Sequence, residues 1–126
     1  ALLLPELGLV DATDPRFLST LAAIERELKD GDWLYRYRHQ DDFGHPAVAF
    51  TICAFWYVNA LAMAGRREEA REHFERLLER RTSLGMLSED IDPASGEWWG
   101  NFPQTYSLVG IVNSAIRLSR SWEEAL

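Results

Sequence analysis

Cysteine is almost missing from this chain. Cys53 stands alone among 126 residues, so no internal disulfide can form, and a reducing, cytoplasmic setting is expected. Positive charge is also short. Thirteen Lys and Arg face twenty Asp and Glu, a net charge of −7 with a pI near 4.9. The phosphates of nucleic acid demand a basic face, so no nucleic-acid partner is expected. Long hydrophobic runs are lacking with one exception, the uncharged stretch from Pro46 to Gly65. It nears the length of a membrane span, yet it carries Thr51, Asn59 and small residues between strongly charged flanks. It reads as a buried helix, and no membrane partner is expected. The opening ALLLP is too short for the apolar region of a signal peptide and has no basic flank. The first residue is not methionine, which suits a processed product or a piece of something longer.

What is present is a globular composition, 47% hydrophobic and 26% charged, in a chain long enough for one domain that buries about two-thirds of its unfolded surface. The apolar pattern predicts four helices. In TDPRFLSTLAAIERELKDG, Thr13 or Asp14 caps, Pro15 suits the first turn and Gly31 suits the stop. Phe17, Leu21, Ile24 and Leu28 form one stripe, and Glu25 and Lys29 stand at i,i+4 on the wet side. The second helix, about Ala47–Ala64, is uncharged on every side, as a helix surrounded by protein must be. The third, about Arg66–Arg81, is amphipathic, with a stripe of Ala70, Phe74, Leu77 and Leu78, and with Glu72 placed to reach Arg76. The fourth, about Pro103–Leu118, is uncharged until Arg117. An all-α fold is expected, with outer (amphipathic) and inner (buried) helices alternating. The outer-to-inner links, Asp30–Pro46 and Thr82–Phe102, are long and rich in aromatic and acidic residues. Both lead to the N-terminal ends of inner helices, so a site at one rim of a two-layer helical arc is expected.

Several motifs have ordinary readings. AMAGRREEAREHFERLLERR resembles half of a tetratricopeptide repeat, which keeps an interaction scaffold open as an alternative, although no 34-residue repeat is visible. His39, Asp41, Asp42 and His45 share a loop without a zinc spacing, and SEDIDPASGE departs from a calcium loop at Gly96 and Asn101, so no metal is expected. Cys53 reads as core, and His73, on the charged helix, as solvated. The two long loops offer more. Trp33, Tyr35, Arg36, Tyr37, Asp41 and Asp42 in one, and Glu89, Asp90, Asp92, Trp98, Trp99, Asn101 and Gln104 in the other, suit a sugar, with carboxylates, amides and arginine for its hydroxyls and aromatic rings for its C–H face. The bland alternative is that the paired tryptophans staple the loop and the acids are solvated.

Four stretches carry a family resemblance: ALLLPELGLV, DPRFLSTLAAIERELKDGDWLYRY, DDFGHPAVAFTICAFWYVNALAMAGRREEAREHFERLL and SLGMLSEDIDPASGEWWGNFPQTYSLVGIVNSAIRLS. The chain resembles glycoside hydrolase family 15, the glucoamylase-like enzymes, in their bacterial and archaeal branch. The order RY…DDFG, LSEDIDP…G, GNFPQTYS carries the match. The resemblance implies the C-terminal part of one (α/α)6 toroid, residues 1–126 holding about four helices of twelve, with the leading stub as the end of another inner helix. It implies an inverting hydrolase that releases glucose from α-glucosides or oligosaccharides, of glucoamylase type or, as the alternative, a trehalase, without a cofactor. An acid protonates the leaving oxygen while a base deprotonates a water, the two carboxyls standing roughly 6.5–9.5 Å apart. By motif the base falls on Glu89, with Asp90 as runner-up. Polar neighbours are expected to keep Glu89 ionised. Arg36 matches a sugar-gripping arginine, Asp42 a hydroxyl acceptor or an orienter of that arginine, and Trp99 and Tyr106 a cleft wall. No carboxylate here matches the family's acid, so the fragment alone is expected to be inactive. Many relatives follow the Tyr-Ser pair with histidine, whereas this chain has Leu108, so no role is carried to that position. Inner helices stripped of their neighbours are expected to drive self-association.

Overall fold

The computed structural model describes residues 1–42 and 44–119. Phe43 of the DDFG motif lies outside the described residues. Helix α1 runs Pro15–Leu28. Asp14 is its cap, accepting the Arg16 N–H at 2.8 Å, with Pro15 at the first helical position. Thr13 instead donates its hydroxyl to Asp11. Phe17 and Leu21 are buried, and Ile24 packs on the same core. The helix stops before Gly31 because Lys29 is already extended. Lys29–Asp30 (β1) pairs antiparallel with Trp33–Leu34 (β2). Gly31, expected as the helix stop, is the hairpin's turn residue at φ +57, a conformation that costs a side-chain-free residue nothing.

Helix α2, Thr51–Met63, is preceded by a short strand, Ala49–Phe50 (β3). It starts later than the uncharged pattern suggests because Ala49 and Phe50 are committed to pairing with another strand. Residues 51–55 and 57–61 of α2 are all buried. Among the described residues no helix is long and apolar enough to cross a membrane. Gly65, at φ +85, turns the chain tightly into α3, Arg67–Leu78. The buried stripe of α3 is Ala70, His73, Phe74 and Leu77. His73 is therefore not solvated, being only 1% exposed. Its place three residues after Ala70 and four before Leu77 puts it on the core face, where its ring meets Tyr57 edge-on at 5.2 Å.

Two expected helical ion pairs are replaced by tertiary ones. Glu25 turns away from Lys29 and accepts from the Tyr57 hydroxyl at 2.7 Å and from Arg66 at 2.6 Å, joining α1, α2 and the start of α3. Arg76 reaches Asp32 in the first hairpin at 2.7 Å, not Glu72. In both cases a rigid partner across the fold offers a better-fixed oxygen than a flexible neighbour on the same helix.

Helix α4, Thr105–Leu118, lies on α2 through a stripe of small residues. A Cβ on Gly110 would stand 2.7 Å from the Phe55 ring, so the missing side chain sets how closely the two helices pack. Ser114 donates to buried Asn59 at 3.0 Å. At the far end, Arg67 and Arg71 donate to the carbonyls of Arg117, Leu118 and Ser119, which have no partner further along the helix. Unlike α2, α4 is not enclosed. Tyr106, Val109, Val112 and Ile116 form an exposed stripe, since no described element covers that side.

The all-α expectation omits both the β1–β2 hairpin and a second small sheet. Asp90–Ile91 (β4) lies between β3 and Trp98–Trp99 (β5), antiparallel to both. In the leading stretch, residues 2–8 form successive turns. The Leu9 N–H donates to the Leu4 carbonyl and the Gly8 N–H to the Pro5 carbonyl, both at 3.0 Å, with Gly8 at φ +69, the bonding pattern that closes a helix.

Candidate active site

The three-stranded sheet ties the second long loop to the beginning of α2. Its register sets Phe50 opposite Asp90, and Asp90 opposite Trp99. Residues directly opposed across antiparallel strands share a face, so Phe50, Asp90 and Trp99 lie on one side of the sheet. Ala49, Ile91 and Trp98 lie on the other, where Ala49 and Ile91 join the core and Trp98 stacks on Phe102 at 5.2 Å. The pairing beyond β4 is local chemistry. Asp92 accepts the Ala94 N–H at 2.9 Å and the Ser95 hydroxyl at 2.6 Å, and Gly96 reverses the chain at φ +75. Asp92 thus builds the turn, and those two hydrogen bonds hold its carboxyl below its ordinary range.

Glu89 sits one residue before β4 and is held on both sides through its backbone. Its carbonyl accepts the Thr51 N–H at 2.9 Å, satisfying one of the free donors at the start of α2, and its own N–H donates to the Asn101 carbonyl at 2.9 Å. Its side chain is held as well. Oε2 accepts from the Asn101 backbone N–H at 3.0 Å and from Asn101 Nδ2 at 2.7 Å. Among the described residues Oε1 receives no hydrogen bond. The floor beneath is equally fixed, with Ser107 of α4 donating to the Ser88 carbonyl at 2.8 Å and Ser88 to the Asp90 carbonyl at 2.6 Å.

A cleft of about 280 Å³ opens on this face, lined by Arg36, Tyr37, Pro46, Val48, Phe50, Glu89 and Asp90. The two long loops therefore meet where the sequence placed them, at the N-terminal end of α2. The Arg36 guanidinium lies over the Phe50 ring, 5.9 Å from its centre. Tyr37 donates its hydroxyl to Asp41, which raises the phenol's pKa from its ordinary value. Burial, and after it the charge of Glu89, raises the Asp90 carboxyl. A carboxylate with one oxygen pinned and one open, beside a second carboxyl and a guanidinium, can accept a proton from water and hold hydroxyls near it.

Of the other residues singled out in the sequence, Trp99 is on the cleft's face of the sheet and 53% exposed. Tyr106 is exposed in the first turn of α4 and does not line the cleft. Asp42 is exposed next to Phe43 and is likewise absent from the lining. Asn101, expected as a sugar-facing amide, is instead the partner of Glu89. Sequence reasoning did not find Phe50 or the Asn101 clasp. The Asp-Pro-Ala-Ser-Gly turn between Ile91 and the Trp98–Trp99 pair was the available sign that residues 89 and 101 come together.

The chain is 43% identical over 98% of its length to a trehalase of Thermoplasma volcanium, covering 19% of that protein. It is 38% identical over 94% of its length to a trehalase of Thermoplasma acidophilum, covering 21% of it. A trehalase of Mycobacterium tuberculosis is 39% identical over 89% of the chain and is covered over 17%. The chain thus spans about one-fifth of the length of these relatives, and no solved structure matches it. The model of the glycosyl hydrolases family 15 matches residues 1–116, and the chain belongs to that family.

Proposed function

We propose that these residues form the general-base side of an inverting α-glucoside hydrolase whose substrate is trehalose. The observation that carries this reading is Glu89, pinned through Oε2 and open at Oε1, in one cleft with Arg36 at the start of a buried helix. The family supplies the reaction class. The curated relatives are trehalases, which favours trehalose, the alternative in the sequence reading, over the glucoamylase-type substrates expected first. Glu89 Oε1 takes a proton from a water while that water attacks the glucosyl carbon from the face opposite the leaving oxygen. Arg36 donates to sugar hydroxyls, its fork braced on Phe50, and Trp99 supplies an apolar wall. Asp42 and Tyr106 serve the reading only as outer contacts, Asp42 as a hydroxyl acceptor and Tyr106 as part of the wall. The carboxylic acid that protonates the leaving oxygen comes from elsewhere in a single (α/α)6 domain, of which residues 1–126 are the C-terminal portion with about four helices of twelve.

The test is made on the intact enzyme carrying these residues. Glu89→Gln keeps the shape and removes the proton acceptor, so kcat on trehalose falls by at least about a thousandfold while folding is preserved. The wild-type enzyme is expected to release one β- and one α-glucose from each trehalose, read by proton NMR before mutarotation, and to act on maltooligosaccharides far more slowly. Near-normal turnover by Glu89→Gln would remove Glu89 from the mechanism. The 126-residue chain alone is expected to release no glucose from trehalose or starch.

A further inference from the structure

Residues 89 and 101 are joined by three hydrogen bonds. One runs from the Glu89 N–H to the Asn101 carbonyl, and two run back from the Asn101 N–H and Nδ2 to Glu89 Oε2. Both side-chain-directed donors converge on the same oxygen. That leaves Oε1 as the only basic position and fixes its direction, because a carboxylate held at one oxygen by two donors cannot rotate about its terminal bond. The clasp has a further requirement. At Gly100 the backbone stands at φ +73, and a Cβ there would lie 2.9 Å from Glu89 Oε2, Glu89 Cβ and Asp90 Oδ2. Only a glycine lets the backbone amide of residue 101 come within hydrogen-bond reach of the carboxylate.

We propose that Asn101 is the positioning residue of the reaction: its two donors aim the Glu89 carboxylate so that Oε1 faces the attacking water, with Gly100 as the clearance that makes the clasp possible. This rests on Glu89 being the base. The charged and titratable groups around the clasp are Asp90 on the same strand, and Arg36 and Tyr37 from the first loop, which line the same cleft. From α2 the Thr51 N–H donates to the Glu89 carbonyl, and from α4 Ser107 donates to the carbonyl of the neighbouring Ser88, with Tyr106 preceding it on the exposed side. Each of these groups is unchanged by a substitution at 101, so a shift in the pH profile reports the clasp.

The experiment compares Asn101→Ala, Asn101→Asp and Glu89→Gln in the intact enzyme with trehalose as substrate. Losing one donor to a charged group predicts a kcat lower by roughly ten- to a hundredfold in Asn101→Ala, with KM within about threefold. Asn101→Asp keeps the shape but sets a like charge against Glu89, so its loss is larger, and the acid limb of its kcat/KM profile moves to higher pH. That limb reads the same whatever fraction of the variant is folded. The proposal is overturned if both variants keep the wild-type kcat and acid limb while Glu89→Gln is dead. It is equally overturned if their effect falls on KM alone, which would make Asn101 a sugar contact. Normal turnover by Glu89→Gln would overturn the base assignment first and this proposal with it.

Discussion

His73 is buried on the core face of α3 with its ring edge-on to Tyr57 of α2. Burial is the main cause that brings its pKa down to about 4, against the nearby Asp32, which acts the other way. The unfolded chain binds a proton to this ring below its ordinary value of 6.5, whereas the folded chain does not until about pH 4. The unfolded state therefore holds more protons throughout that window, and stability falls as pH is lowered through it. The full loss amounts to about 3 kcal/mol. Denaturant titrations of His73→Leu and the wild type between pH 6.5 and 4 are expected to differ in slope, the variant lacking this loss. Parallel stability curves would show that the ring does not stay neutral in the fold. Asp11, Asp14 and Asp92, whose carboxyls are held low by their hydrogen bonds, contribute their own loss at still lower pH in both proteins.

At the scale of elements, α4 on α2 shows how packing overrules propensity. Gly110→Ala would add about 1 kcal/mol of helix propensity to α4. The new Cβ, however, meets Phe55 and Ile52 at 2.7 to 2.9 Å, and Phe55 is fully buried with no room to retreat. Overpacking of this kind costs about 1–3 kcal/mol. A melting temperature lower by a few degrees is expected by calorimetry in the variant. A raised melting temperature would mean that the helices part more easily than their geometry implies. The same elements show what the sequence discloses. All four helices, the tight Gly65 turn and the meeting of two long loops at the head of α2 follow from apolar period and loop length. The two sheets do not, because a strand of two residues such as Ala49–Phe50 has no period to read and exists only through its partner. His73 was misread because residue type outweighed its spacing. That Glu89 lies in a cleft at the head of α2 was legible from motif and loop length, whereas the Asn101 clasp depends on a turn that brings together residues 12 positions apart.

For the whole molecule the notable surface is the outer stripe of α4. Tyr106, Val109, Val112 and Ile116 are 64%, 44%, 55% and 68% exposed, following one another at helical spacing. In the proposed toroid the remainder of the ring covers this face. For the 126-residue chain by itself, self-association through it is expected, seen as a sedimentation coefficient that rises with concentration. Val112→Glu with Ile116→Lys should abolish that rise. A wild-type chain that sediments as a monomer at every concentration would show that the stripe is tolerated by solvent.

The peptide unit of Glu89 belongs at once to the head of α2 and, through Asn101, to the approach to α4. Three stretches far apart along the chain are thereby knotted at a single residue. The tip of the hairpin, from Pro93 to Glu97, hangs outside that knot, so its turn chemistry governs where the second strand returns without itself touching the Glu89 carboxylate.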